Sequence, residues 1–281
     1  TNTLDRFDQR IYGLSPGIHP NGLASPSAPR QEIQSLESVT DQRKQAKWKP
    51  DFSEDHASFV VLVPSLNPSE IFAGVATAID IGLGLAERGM HVRFVATDLP
   101  VASASISREF LINRLGAKSS EAASRISLGC GVTSGALPAH LGDTFLATAW
   151  WTAHSAHGLI RQHGYRETKF HYLIQDFEPL FYPWGQEYAD AMASYDLEFE
   201  PIFNTTLLRD HFREREFTFA DVHSYAFQPS IEISHYAKGA RPHKNRGPRR
   251  LVVYGRPEVA RNMFSTAVEE LDLFTSQNDL N

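Results

Sequence analysis

The stretch His171–Gly185, HYLIQDFEPLFYPWG, runs a short apolar segment directly into a cluster of acids, aromatics and prolines. Tyr172, Leu173 and Ile174 are β-formers bounded by breakers, the pattern of a strand buried on both faces of a parallel sheet. Asp176 and Glu178 then fall at its carboxyl end, where open α/β sheets hold their ligands. Pro179 and Pro183 stiffen the turn, and Phe177, Phe181, Tyr182 and Trp184 offer flat contact surface. An αβ loop whose aromatics cap the core fits the same residues, so both readings stay open for the rings. Acids at a strand end have less structural excuse.

Outward from this segment, strand and helix signals alternate in both directions. Upstream, FVVLVP (59–64) is a β-branched run ended by Pro64, and LNPSEIFAGVATAIDIGLGLAERG enters an amphipathic helix that stops at Gly89. Ile71, Val75, Ile79, Leu83 and Ala86 form its apolar face. HVRFVAT supplies a second strand, Ser105–Leu115 a helix, Arg125–Leu128 a third strand and Asp143–Ala149 a fourth. A helix then begins near Trp150 and ends at Gly164. Downstream come a helix through Glu187 and Met192, a strand at Phe199–Phe203, a helix over Thr205–Arg215 and a strand near Asp221–Ser224. This alternation predicts an α/β fold with a doubly wound, Rossmann-like, mostly parallel sheet.

The flanks have a different texture. Residues 1–57 are polar and rich in Pro and Gly, then mildly helical and charged, and read as an extension that wraps the domain or meets a partner, not as core. The Rossmann-like domain spans 58–238. AKGARPHKNRGPRR (237–250) breaks the rhythm with Gly, Pro and basic residues, which places an interdomain linker at 239–249. After it RLVVYGRP restarts a strand and RNMFSTAVEELDLF a helix, the first βα unit of a second Rossmann-like domain over 250–281. One βα unit cannot bury its own apolar face, so this second domain reads as truncated.

A chain of 281 residues with net charge -6 can build a sizeable core and does not favour a general nucleic-acid surface. The lone cysteine, Cys130, excludes an intramolecular disulfide and a cysteine-rich metal site. No apolar run approaches the ~20 residues of a membrane span, and no basic-then-apolar leader opens the chain. The expected location is therefore cytoplasmic, with peripheral contact at the inner face of a membrane left open. Absence of G-x-G-x-x-G, of a P-loop and of G-x-S-x-G argues against nicotinamide enzymes, P-loop ATPases and elbow hydrolases.

His154 and His157 fall in a helix that follows a strand end, where the His154 ring is a candidate to act on a hydroxyl and helix packing is the alternative. Trp150 and Trp151 divide similarly between sugar stacking and core. H-S-A-H is misspaced for two ligands on one helix face, so no metal site is expected. In YGRPEVARN, Arg256 and Arg261 flank a strand-to-helix turn, where guanidinium forks can clamp a diphosphate.

HYLIQDFEPLFYPWG, the strand followed by FNTTLLRDHF, and YGRPEVARNMF together resemble the rhamnosyltransferases of the rhamnan-synthesis and surface-glycan type, over about residues 58–274. These are two-domain (GT-B) glycosyltransferases. The resemblance implies a retaining transfer of a sugar, L-rhamnose in the first instance, from a nucleotide-diphosphate donor such as dTDP-L-rhamnose to a glycan or lipid-linked glycan, with no cofactor and no metal. It implies an acceptor-receiving amino-terminal domain and a donor-holding carboxyl-terminal one. Gly74 then corresponds to the loop glycine that lets backbone approach phosphate or sugar. Arg256 corresponds to the arginine of the family's G-R turn, and Arg261 stands where relatives carry lysine; both would neutralise the leaving diphosphate. Asp176, Glu178 and His154 become the candidate catalytic groups, Glu178 foremost because Pro179 pins it and Asp176 can instead cap the following turn, and Phe177, Phe181, Tyr182 and Trp184 the acceptor surface. The acids that relatives use on the donor ribose lie outside this chain, so the piece is expected to be catalytically incomplete. A non-catalytic carbohydrate- or nucleotide-binding module of the same fold is the alternative.

Overall fold

In chain order the strands are Trp48–Asp51 (β1), Ser58–Val63 (β2), His91–Ala96 (β3), Ile126–Cys130 (β4), Gly135–Pro138 (β5), Thr144–Ala147 (β6), Phe170–Ile174 (β7), Phe199–Phe203 (β8) and Tyr225–Ala226 (β9). The helices are Ala73–Glu87 (α1), Ala104–Leu115 (α2), Ser120–Ser124 (α3), Trp150–His163 (α4), Gln186–Ala193 (α5), Thr206–Glu214 (α6) and Phe264–Gln277 (α7). The computed structural model describes residues 42–115, 120–133, 135–221, 223–228 and 251–277. The chain divides into two units, Thr1–Thr40 and Asp41–Asn281, and all described residues belong to the second.

Among the described residues, seven strands form one sheet in the order β4-β3-β2-β6-β7-β8-β9, with every neighbouring pair parallel. Strand order reverses between β2 and β6, the topological switch point of a doubly wound sheet. All six residues of β2 are buried, as a central strand covered by helices on both faces requires. Its alternation sorts the two layers. Val60 and Leu62 pack with α4, Tyr195 and Phe212, whereas Phe59, Val61 and Val63 pack with Ile79 and Leu83 of α1 and Leu111 of α2.

The alternation matches the reading of the sequence, while α3 and β5 are additional and the strand expected near Asp221–Ser224 lies at Tyr225–Ala226; two further differences fall at the ends. Trp48 is buried and β1 pairs in parallel with β5, so residues 48–51 belong to the folded domain and not to a coreless extension. The indole supplies more apolar area than the polar residues around it indicate. At the other end, residues 251–256 form no strand, and α7 begins only at Phe264. Leu251, Val252 and Tyr254 are exposed there, and a β-ladder needs a neighbour that the described residues do not provide. Most of the extension (1–41) and the linker (239–249) lie outside the described residues. No helix among the described residues is long and apolar enough to cross a membrane.

The amino edge of the sheet is held by an ion pair that the apolar strand pattern conceals. Arg93 lies in the middle of β3 and donates to Asp143 Oδ2 at 2.8 Å, while the Ser58 N–H donates to Oδ1 at 2.7 Å and the His140 N–H to Oδ2 at 3.0 Å. Both side chains are buried. Removing Asp143 leaves Arg93 only the longer ion pair to Glu54 at 3.7 Å, so Asp143→Ala should lower stability to urea by about 3 kcal/mol. A loss below about 1 kcal/mol would give the pair only the worth of a surface contact.

Candidate functional site

β7 ends at Ile174, and the chain leaves the sheet through Gln175 and Asp176 into a 3-10 turn, Glu178–Phe181. Asp176 is exposed, and its Oδ1 accepts the N–H of the next residue, Phe177, at 2.8 Å, a contact that holds the carboxylate beside the turn. Glu178 is placed oppositely. Its Oε2 accepts the backbone N–H of Trp150 at 2.6 Å and the Tyr172 hydroxyl at 3.2 Å. The carboxyl group thus caps the amino end of α4 from a loop 28 residues downstream. Burial pushes Glu178 up to about 8, against the pull of the Trp150 N–H and the Tyr172 hydroxyl. Thr152 completes the cap, its Oγ1 accepting the N–H groups of Thr148 and Ala149 at 2.9 Å each. At its far end α4 stops on Gly164, whose φ of 69° is the left-handed conformation that glycine adopts without strain.

The aromatic residues after Asp176 separate into core and rim. Phe177 is buried against Tyr195, Phe212 and Phe217. Tyr182 accepts the Trp150 indole N–H at 3.0 Å, and Trp150 itself is fully buried. Trp184 is 91% exposed and stacks on Tyr188 with ring planes 14° apart. Phe181 carries the Arg261 guanidinium 3.9 Å from its ring centroid. Of the four rings read as acceptor surface, Phe177 and Tyr182 are therefore engaged in packing, whereas Phe181 and Trp184 lie at the rim.

His154 points into the packing between α4 and α5. Its Nε2 lies 2.9 Å from the Asp190 carbonyl oxygen, a contact that requires the Nε2–H tautomer, and burial lowers its pKa below the ordinary value. Gly74 lies in the first turn of α1, and a Cβ there would come within 3.3 Å of the Gln175 side chain. The close approach that this glycine permits is thus to Gln175, which also accepts from Asn204 Nδ2 at 3.4 Å. Gln175 and Asn204 join the ends of β7 and β8 to the start of α1. Both residues stand in segments that carry the family resemblance, but neither has a charge to mark it as a partner in space. Arg256 is paired with Glu258 at 2.9 Å on the exposed carboxyl-terminal segment.

Residues 58–206 of this chain, which contain β2 to β8 and the whole Asp176–Glu178 turn, match the family described as WsaF, N-terminal domain. The chain belongs to this family. A curated relative, the O-antigen biosynthesis protein RfbC of Myxococcus xanthus, is 33% identical over 132 residues, 46% of this chain. That match spans 9% of the length of RfbC. The WsaF-type domain accordingly comprises the switch point and the β7 end with both acids, while β1 and α7 lie outside it.

The buried carboxyl of Glu178 makes a pH prediction. With a folded-state value near 8 against an ordinary 4.5, the folded protein holds a proton that the unfolded chain has released. Stability should therefore fall as pH rises through that interval, by at most about 1.4 kcal/mol per pH unit. Urea unfolding of Glu178→Gln should show a flatter profile than wild type across the same range. An unchanged slope would assign the dependence to another group.

Proposed function

We propose that this chain is the acceptor-receiving portion of a nucleotide-sugar-dependent glycosyltransferase of GT-B organisation that builds a surface glycan. The observation that carries the reading is Asp176: an exposed carboxylate at the carboxyl end of a strand in a doubly wound sheet, bonded to the backbone and followed by a turn whose Phe181 and Trp184 rings lie at the rim. Carboxylates accept hydrogen bonds from sugar hydroxyls, and flat rings cover apolar sugar faces. Membership of the WsaF N-terminal-domain family supports the reading, as does a relative named for O-antigen biosynthesis. L-rhamnose as the transferred sugar, retention at its anomeric carbon and a dTDP donor are the finer parts of the proposal, and they rest on the resemblance of the QDFEP and YGRP segments. In this reading residues 251–277 open the donor-binding domain, where Arg256 and Arg261 receive the diphosphate. Glu178 serves as the cap that holds Asp176 in position.

Steady-state transfer by the whole enzyme, with donor affinity measured separately, tests the assignment. Asp176→Asn should reduce turnover by about a hundredfold, the cost of a misplaced acceptor hydroxyl, and leave donor affinity intact. Arg256→Ala and Arg261→Ala should each weaken binding of the free nucleoside diphosphate about tenfold or more in calorimetry. Full turnover in Asp176→Asn, or undiminished nucleotide binding in both arginine variants, would return those residues to structural roles.

A further inference from the structure

Beside α4, the carboxyl ends of β3 and β4 open into a cleft of about 220 Å³ that the site above does not use. One wall carries Thr97, Asp98 and Trp151. Asp98 Oδ1 accepts the Thr97 hydroxyl at 2.6 Å and the Trp151 indole N–H at 2.9 Å, while the residue as a whole stays exposed. Trp151 is further braced by a perpendicular contact with Trp150, ring centroids 5.5 Å apart. A carboxylate and an indole are thus held in fixed relation at the mouth of the cleft. The opposite wall is the segment that precedes β1, with the amides of Gln42 and Gln45 and the ammonium of Lys47. Trp48 closes the floor, and it fits because position 131 is glycine: a Cβ there would come within 2.6 Å of the indole.

Charge and hydrogen-bonding capacity select the ligand. Lys47 balances Asp98, and Arg43, also in this wall, is engaged by Glu187 at 2.8 Å and lies over the Trp150 ring. A phosphate would face the Asp98 carboxylate, and an apolar ligand would offer no donor to its second oxygen and no acceptor to the Lys47 ammonium. A neutral polyhydroxylated ring satisfies both walls, because each hydroxyl donates to a carboxylate and accepts from an ammonium or amide while its C–H face lies on an indole.

We propose that this cleft binds a neutral pyranose ring of the acceptor glycan, with Asp98 accepting from its hydroxyls and Lys47 donating to them. As an acceptor subsite it rests on the transferase reading above. Asp98 and Trp151 lie within the residues matched to the family, whereas Gln42, Gln45 and Lys47 precede them. The wall outside the family match therefore sets which sugar is received.

The indole N–H signals of this chain's four tryptophans provide the test, with Trp151 assigned through Trp151→Phe. Methyl α-L-rhamnopyranoside, methyl α-D-glucopyranoside and inorganic phosphate are titrated at millimolar concentration. At least one glycoside should shift Trp151 saturably, and Asp98→Asn and Lys47→Ala should weaken that binding about tenfold or more. The unmoved Trp150 signal verifies the fold of each variant. A shift of Trp151 by phosphate alone, or by neither glycoside, overturns the proposal. In the whole enzyme Asp98→Asn should raise the acceptor KM with kcat nearly unchanged. An active enzyme with an unaltered acceptor KM removes the cleft and leaves the transferase reading standing. Saccharide binding at Trp151 in an enzyme that transfers nothing removes the transferase reading and keeps the cleft as a sugar site.

Discussion

A carboxyl group that has been taken out of water and given to the end of a helix organises the sheet edge of this protein. Glu178 receives the first free N–H of α4 and the Tyr172 hydroxyl of β7 on the same oxygen. A helix start, a central strand and a loop are thereby fixed to one another at a single atom. The arrangement opposes a large desolvation cost to two hydrogen bonds and the positive end of a helix, and the raised pKa shows that burial outweighs them. What the fold gains is rigidity where the loop leaves the sheet. Phe177 is sunk among Tyr195, Phe212 and Phe217, and Tyr182 is bonded to the Trp150 indole, so the turn is clamped on both sides. Asp176 stands just before the clamped turn, and a ligand group held there would be preorganised by its neighbours.

The opposite edge uses the same device with the charges reversed in role. Arg93 and Asp143 neutralise each other in the interior, and the acid also takes the N–H groups of Ser58 and His140, which enter β2 and precede β6. These two strands flank the switch point. Buried polar groups thus constrain both ends of the strand pair around which the sheet reverses, while the middle is apolar on both faces. Such networks are satisfied in one register only, because a slip by one residue would turn Arg93 out of its partner's reach.

Much of the fold was legible because strands buried on both faces leave an unmistakable mark. FVVLVP, HYLI and Phe199–Phe203 all fall on observed strands, and Gly89 and Gly164 lie just beyond the helices they were read as ending. Two kinds of information were missing. Trp48 and residues 251–256 depend on whether a neighbour exists, which local pattern cannot report: the first found a partner in β5, and the second stayed exposed. The polar contacts depend on distance in space. Gln175 with Gly74, His154 with Asp190 and Trp151 with Asp98 join segments far apart in the chain, and none leaves a periodic signal.

The two acids of QDFEP show how the same sequence feature can support opposite inferences. In the sequence Pro179 singles out Glu178, since a backbone pinned directly after a carboxyl group holds it still. That rigidity is present, but the turn that Pro179 starts is a 3-10 helix, and it carries Glu178 back under the sheet edge toward α4. Had the chain continued extended, residues two apart would have projected to the same side and both acids would have met solvent together. The turn sends them to different media instead: one is spent on the fold, and the other remains exposed beside it. Glu178 Oε2 is committed to a helix end and a tyrosine hydroxyl, so of the two acids of this turn Asp176 is the one that stays open to solvent.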